Sequence, residues 1–288
     1  MVFRLGLGLA FALLASLPAH AQATSGTAAR PASPITASVS RILYGDPASP
    51  AQTAIRDKYR ARGLLESFAA LFKPFRLPQP IGFRLASCDG ESNAWYEPDD
   101  GMITVCYEYI EELQKNAPKV TTPDGITPDD AVAGPLIEVF LHEAGHAIFE
   151  RLQLPILGRE EDAADQFAAF MMLQLGNDIA LRAIRGTALM YALEAKTTTF
   201  GMHVFSDEHS LPAQRLFNML CMAYGAKPKL FTKVVTKGYL PKDRAESCEN
   251  EYAQVGHALK TLLSPHVEPE ALARFNAGQI KWQPRAKR

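Results

Sequence analysis

The segment Leu141-His142-Glu143-Ala144-Gly145-His146 holds two histidines four residues apart with a glutamate beside the first. On a helix, positions four apart share one face, one turn up. Both imidazoles then point at one metal ion. Glu143, one position round the helix, reaches a water held there without occupying a ligand position. That arrangement suits a hydrolytic zinc site, with Glu143 as general base. Chance alone yields H-E-x-x-H in a chain of this length with a probability on the order of 1%, so the flanking residues must decide. The simpler alternative is a polar helix face carrying two surface histidines. Leu136, Ile137, Val139, Phe140, Leu141, Ile148, Phe149 and Leu152 argue against it by making this helix largely apolar. Imidazoles and a carboxylate in such a helix need partners, and a metal supplies them.

A mononuclear catalytic zinc needs a third protein ligand and an open position. The extended motif H-E-x-x-H-x-x-G-x-x-H is excluded, because Phe149 and Leu152 occupy its glycine and third-histidine positions. The next acidic run, Glu160-Glu161-Asp162-Ala163-Ala164-Asp165, offers a carboxylate instead. Glu161 and Asp165 share a helix face. The intervening loop, with Pro155 and Gly158, is short enough to fold the second helix back, and small Ala163 and Ala164 permit close approach. Glu161 is therefore the expected third ligand. Asp165 is expected to accept the free N–H of a ligand histidine and fix its tautomer. An acidic helix start, favourable for the helix dipole, accounts for Glu160, Glu161 and Asp162 equally well. It accounts poorly for Asp165, a turn later. A cysteine-based zinc site is not expected, since the chain has no C-x-x-C pair.

The elements that must position these residues are mostly helical. Residues 129–152, 159–175, 178–195, 212–224 and 244–263 read as helices, and residues 53–72 as one earlier amphipathic helix stopped by Pro74. Residues 81–86 read as a short strand. Residues 93–96 and 102–106 read as two strands joined by the turn Glu97-Pro98-Asp99-Asp100-Gly101, and residues 107–115 as a helix. The fold class is α+β, a helical body beside a small β-hairpin region. Arg4, the apolar run 5–17 and Ala19-His20-Ala21 form a signal-peptide pattern cut after Ala21. The run is shorter than the ~20 residues of a membrane span, so stable membrane insertion is not expected. The mature protein is then secreted or periplasmic. Residues 22–50, rich in Ala, Ser, Thr and Pro, read as a flexible leader, and residues 51–288 as one domain. In an oxidising compartment four cysteines pair, and they allow three connectivities; proximity favours Cys88–Cys106 and Cys221–Cys248. A net charge of −1 gives no field that would attract nucleic acid. The basic stretch 281–288 is short and reads as a solvated tail.

With these residues in place, the H-E-x-x-H…E-x-x-A-D pattern resembles the gluzincin metallopeptidases, including the heat-shock and CAAX-processing types. More narrowly, residues 93–209 resemble a bacterial family of secreted metallopeptidases defined by motif, with no known substrate. The matching pieces are Asn93-Ala94-Trp95-Tyr96, Ile103-Thr104-Val105-Cys106-Tyr107-Glu108, the segment from Leu141 to His146, and the segment from Gly158 to Asp165. The resemblance implies a mainly helical zincin-like domain, one Zn²⁺ ion and a peptide or protein substrate. It also implies roles within Asp207-Glu208-His209-Ser210-Leu211-Pro212-Ala213-Gln214-Arg215. There His209 would donate to the developing oxyanion and Arg215 would hold the site together. In that element proline directly follows the histidine, whereas here Ser210 and Leu211 intervene. Ser210 as an N-cap with Pro212 near the first turn is the structural alternative. The resemblance further implies that residues 102–106 form an edge strand for an extended peptide, ordinary hairpin packing being the other reading. His203, His257 and His266 have no ligand-like spacing. The expected activity is zinc-dependent endopeptidase. The alternative is a zinc-stabilised binding module of the cell envelope that cleaves nothing, and a weaker one is a metal-free helical scaffold. Glu143, useless as a ligand but needed as a base, favours the enzyme.

Overall fold

The sheet assembles from strands that are distant in sequence. It has the order β1 (Val39–Tyr44), β2 (Ile81–Ala86), β4 (Met102–Cys106), β3 (Ala94–Glu97). The structure, a computed structural model, describes residues 39–276. The expected signal peptide, residues 22–38 of the expected leader and the basic stretch 281–288 lie outside the described residues. β1 pairs with β2 and β2 with β4 in parallel, whereas β3 pairs antiparallel to β4. Parallel neighbours need crossovers. The helices α1 (Pro50–Ala61) and α2 (Leu64–Phe72) provide the first, and the β3 excursion provides the second.

Several expectations change here. The hairpin of β3 and β4 exists, but as half of a four-stranded mixed sheet. Val39–Tyr44, read as leader, is a strand in register with Ile81–Leu85; as a half-exposed edge it shows little alternation in sequence. The expected edge strand 102–106 is interior and buried along its whole length, and β3 is the edge. The single helix expected over residues 53–72 is two. Gly63 at φ 61 turns the chain into the left-handed region, which glycine tolerates and which ends a helix.

The remaining elements are α3 (Tyr107–Asn116), α4 (Pro128–Leu152), α5 (Glu160–Gln174), α6 (Asn177–Thr197), α7 (Pro212–Ala226), α8 (Thr232–Thr236), α9 (Lys242–Ala245), α10 (Cys248–Leu263) and α11 (Pro269–Asn276). The helix expected over 244–263 is thus broken before Cys248, which is bonded to Cys221 of α7. Cys88 and Cys106 form the other disulfide. The fold is α+β and mainly helical. Phe68 and Phe72 of α2, Phe83 of β2, Phe140 of α4 and Phe167 of α5 are fully buried and stack ring against ring, 4.6 Å between the centroids of Phe68 and Phe140. This aromatic seam fixes α4 against the sheet, and Tyr96 and Arg151 then join β3 to the C-terminal turns of α4. No helix among the described residues is long and apolar enough to cross a membrane.

Candidate metal centre

Helix α4 starts at a reciprocal cap. The Thr127 hydroxyl accepts from the Asp130 N–H, and Asp130 accepts from the Thr127 N–H. The helix is buried over most of its length, as its apolar flanks require, and His142 is only 3% exposed. It ends at Gln153 in the left-handed region. After a short loop α5 packs back on it, and Gly145 makes the approach possible. A Cβ there would stand 3.3 Å from both the Ala164 Cα and the Phe167 ring. The small residue inside the histidine motif therefore faces the small residue between the two α5 carboxylates.

This contact sets the geometry of the cluster. Glu161 Oε2 lies 3.0 Å from His142 Nε2 and 3.4 Å from His146 Nε2, and the two Nε2 atoms are 3.2 Å apart. The other ring nitrogens face carboxylates: His142 Nδ1 lies 2.9 Å from Asp165 Oδ1, and His146 Nδ1 lies 2.8 Å from Glu160 Oε1. A carboxylate only accepts, so each Nδ1 carries the proton. Both Nε2 lone pairs and a carboxylate oxygen then converge on one point. Three acceptors in that arrangement repel one another unless a cation or added protons lie between them. The donor set is also the right kind, two imidazoles and one carboxylate within 4.8 Å of one another. These residues fit a bound metal ion. The other close grouping that includes cysteine, Cys88, Cys106 and Glu108, offers no thiolate, because both sulfurs are joined in a disulfide.

Asp165 is itself held by Arg215, at 2.8 Å from Nε and 2.6 Å from Nη2. Arg215 also lies 3.5 Å from Glu138 and stacks over the Tyr191 ring, whose hydroxyl donates to Glu138 at 2.8 Å. His209 stacks on His142, and its Nε2 is 2.8 Å from Glu161 Oε2. Glu143 lines the same cleft, 9% exposed, and accepts from the Tyr96 N–H of β3. The cleft has a volume of about 570 Å³.

The sequence profile of the family described as "Putative metallopeptidase", DUF4344, matches residues 44–263. The chain belongs to this family. No curated protein and no solved structure gave a match. The matched span takes in every residue of the candidate metal cluster, and also β2–β4 and the helices up to α10.

Electrostatics at the cluster follow the same logic. Burial pulls the His142 pKa down, but hydrogen bonds to Asp165 and Glu161 outweigh it and push it up to about 10. Burial would raise Glu161, yet contacts with three histidines drive it far below the carboxylate range. The cluster therefore demands positive charge. Glu143 goes the other way, raised by burial against the opposing influence of His142 and His146.

All the residues expected at this centre (His142, Glu143, His146, Glu161, Asp165, His209 and Arg215) come together. Ser210 does not cap α7, whose N-cap is Leu211. Its hydroxyl instead donates to Asp162 and accepts from Arg159, which ties the start of α5 to the segment before α7. Glu160, explained in sequence by the helix dipole, holds His146. Glu138 and Tyr191 were missed. Glu138 left a trace: it is a carboxylate four residues before His142, on the same face of an apolar helix. Tyr191 left none. His203, His257 and His266 are absent from the cleft lining.

Proposed function

We propose that the chain is an exported, zinc-dependent endopeptidase of gluzincin type, with His142, His146 and Glu161 as the metal ligands. The observation that carries this reading is the convergence of two Nε2 lone pairs and one carboxylate oxygen beside a buried glutamate on a cleft wall. Bound there, Zn²⁺ would supply Lewis-acid charge that acidifies water and polarises a peptide carbonyl. Glu143 takes the proton of the attacking water and passes it to the leaving amine. A carboxyl raised by burial suits a group that must hold a proton between two steps. The His209 Nε2–H, which faces Glu161 in this structure, would turn to the carbonyl oxygen as that oxygen gains charge and Glu161 engages the ion. Asp165 and Glu160 fix the tautomers that leave both Nε2 atoms free for the ion. An extended peptide would lie along β3, the edge that faces the cleft, adding a strand to the sheet. Paired cysteines and the signal-peptide pattern support export.

The decisive experiment compares the zinc-loaded protein with its Glu143→Gln variant on a peptide library, with a chelator control. The variant should retain one equivalent of zinc and lose at least ~10²-fold in hydrolysis. Undiminished cleavage by the loaded variant would remove Glu143 from the mechanism. A mature N-terminus beginning at Gln22 in exported material would support the signal-peptide assignment.

A further inference from the structure

One carboxylate of the cleft has no part in the proposed chemistry. Glu194 lines it together with Met190, four residues earlier on the same face of α6. Tyr109 of α3 reaches Met190 through its hydroxyl, 3.6 Å from Sδ, and half-buried Val139 of α4 adds to the same lining. Aromatic, thioether and aliphatic surface thus crowd a carboxylate of the cleft wall that solvent still reaches.

The other acids of the lining are engaged. Glu138 bonds Tyr191, Glu150 bonds Tyr96, Glu160 bonds His146, Glu161 meets three histidines, and Glu143 accepts from β3. Among the described residues, the Glu194 carboxylate has no hydrogen bond or ion pair, and only the backbone carbonyl of that residue accepts, from Thr197 and Thr198. The single arginine of the lining, Arg215, is committed to Asp165, and the lining contains no lysine. The cleft therefore carries unneutralised negative charge and no unneutralised arginine or lysine. Burial pushes Glu194 up to about 7, with Glu138 and Glu112 adding to the shift and Arg215 opposing it. Such a position gains from a cation brought by a ligand.

We infer that Glu194, with Tyr109, Val139 and Met190, forms a substrate subsite for a basic side chain, the lysine or arginine of a peptide in the cleft. The inference rests on the metallopeptidase reading. Lysine and arginine share the required chemistry, an apolar stem for the wall and a cationic head for the carboxylate. A peptide's own terminal ammonium would satisfy the carboxylate but leave the apolar wall uncovered.

The test uses the full chain, zinc-loaded and silenced by Glu143→Gln, and reads binding by calorimetry. The probes are end-blocked nonapeptides of alanine and glutamine carrying one lysine at each position in turn, with norleucine in the same place as the uncharged control. A third probe, all neutral, has a free amino terminus. At one position lysine should bind about tenfold more tightly than norleucine, as expected for a charged hydrogen bond at a partly buried site. Adding Glu194→Gln should reduce that ratio to within about twofold, in a protein that still melts cooperatively. Equal or absent binding of lysine and norleucine peptides at every position overturns the subsite. So does a gain confined to the free amino terminus, or a lysine preference that survives Glu194→Gln. Parallel hydrolysis by the unsubstituted enzyme separates the two claims. Chelator-sensitive cleavage without lysine selectivity ends the subsite and spares the peptidase. Lysine-selective binding without any cleavage ends the peptidase and leaves the subsite standing.

Discussion

Asp165 accepts from His142 on one oxygen and from Arg215 on both. Arg215 in turn is placed by Glu138 and by the Tyr191 ring. The orientation of His142, a proposed ligand, thus depends on a buried chain of charges spread over α4, α5, α6 and α7. Replacing Asp165 by Asn keeps the shape but removes the charge that holds the His142 proton on Nδ1. Zinc affinity should fall by about 10–100-fold, read by competition with a chromophoric chelator. Unchanged affinity would show that the tautomer needs no help from Asp165. Glu194 makes a separate prediction through pH. Its carboxyl is raised in the folded protein, to about 7 from an ordinary value of 4.5. The folded state therefore holds that proton more tightly than the unfolded chain does. The resulting stabilisation is complete below about pH 4.5 and is lost as pH rises through about 7. Glu194→Gln removes this dependence, so relative to the parent the variant should be more stable at pH 8 than at pH 4. Urea midpoints at the two pH values give the comparison, and a difference of the opposite sign would refute the assigned shift.

The pair α4 and α5 is the element on which the site depends, and Gly145 is its contact point. Gly145→Ala has two opposed effects on stability. Alanine favours the helix by about 1 kcal/mol, and overpacking against Ala164 and Phe167 offsets a similar amount. Net stability should then stay within about 1 kcal/mol of the parent. Zinc affinity should not escape, because Glu161 sits one turn before Ala164, and ligand distances are held to about 0.2 Å. A several-fold loss of affinity with little change in melting is the expected signature; loss of stability alone would place the strain elsewhere. The sequence makes this pair legible because both helices carry a regular pattern, a proline or acidic start and a short linking loop. The hairpin of β3 and β4 is legible from its turn residues. The sequence pattern conceals features set by tertiary contact. β1 is a half-exposed edge without alternation, and its partner β2 lies about forty residues later. Gly63 interrupts an apolar periodicity that continues on both sides of it. Tyr191 meets Glu138 across two helices that no spacing rule connects. Met102–Cys106 has the composition of either an edge or an inner strand, and only the position of β2 decides.

Across the whole molecule, each disulfide ties down chain that leads to or carries a cleft-lining residue. Cys88–Cys106 joins the end of β4 to the loop that leads into β3, where Ser87 Oγ and the Cys88 and Gly90 N–H groups all donate to Glu108. Cys221–Cys248 joins α7, which carries Arg215, to the start of α10. By the chain-entropy argument each adds about 3 kcal/mol, and their loops of 18 and 27 residues differ too little to separate them. Their functional consequences should separate. The Cys88→Ser/Cys106→Ser double variant frees the edge strand and the loop that leads to it, but touches no metal ligand. Its KM for peptides should rise while its zinc affinity stays near that of the parent. The Cys221→Ser/Cys248→Ser double variant loosens the helix that positions Arg215 behind Asp165, so zinc affinity should weaken along with stability. Ligand linkage supplies a control, since saturating zinc stabilises a native site in proportion to the logarithm of its concentration over Kd. The rise in melting temperature on adding zinc should therefore be preserved in the first variant and diminished in the second. Equal losses of zinc affinity in both would mean that the two bridges act only on global stability, and that β3 and α7 are positioned by packing alone.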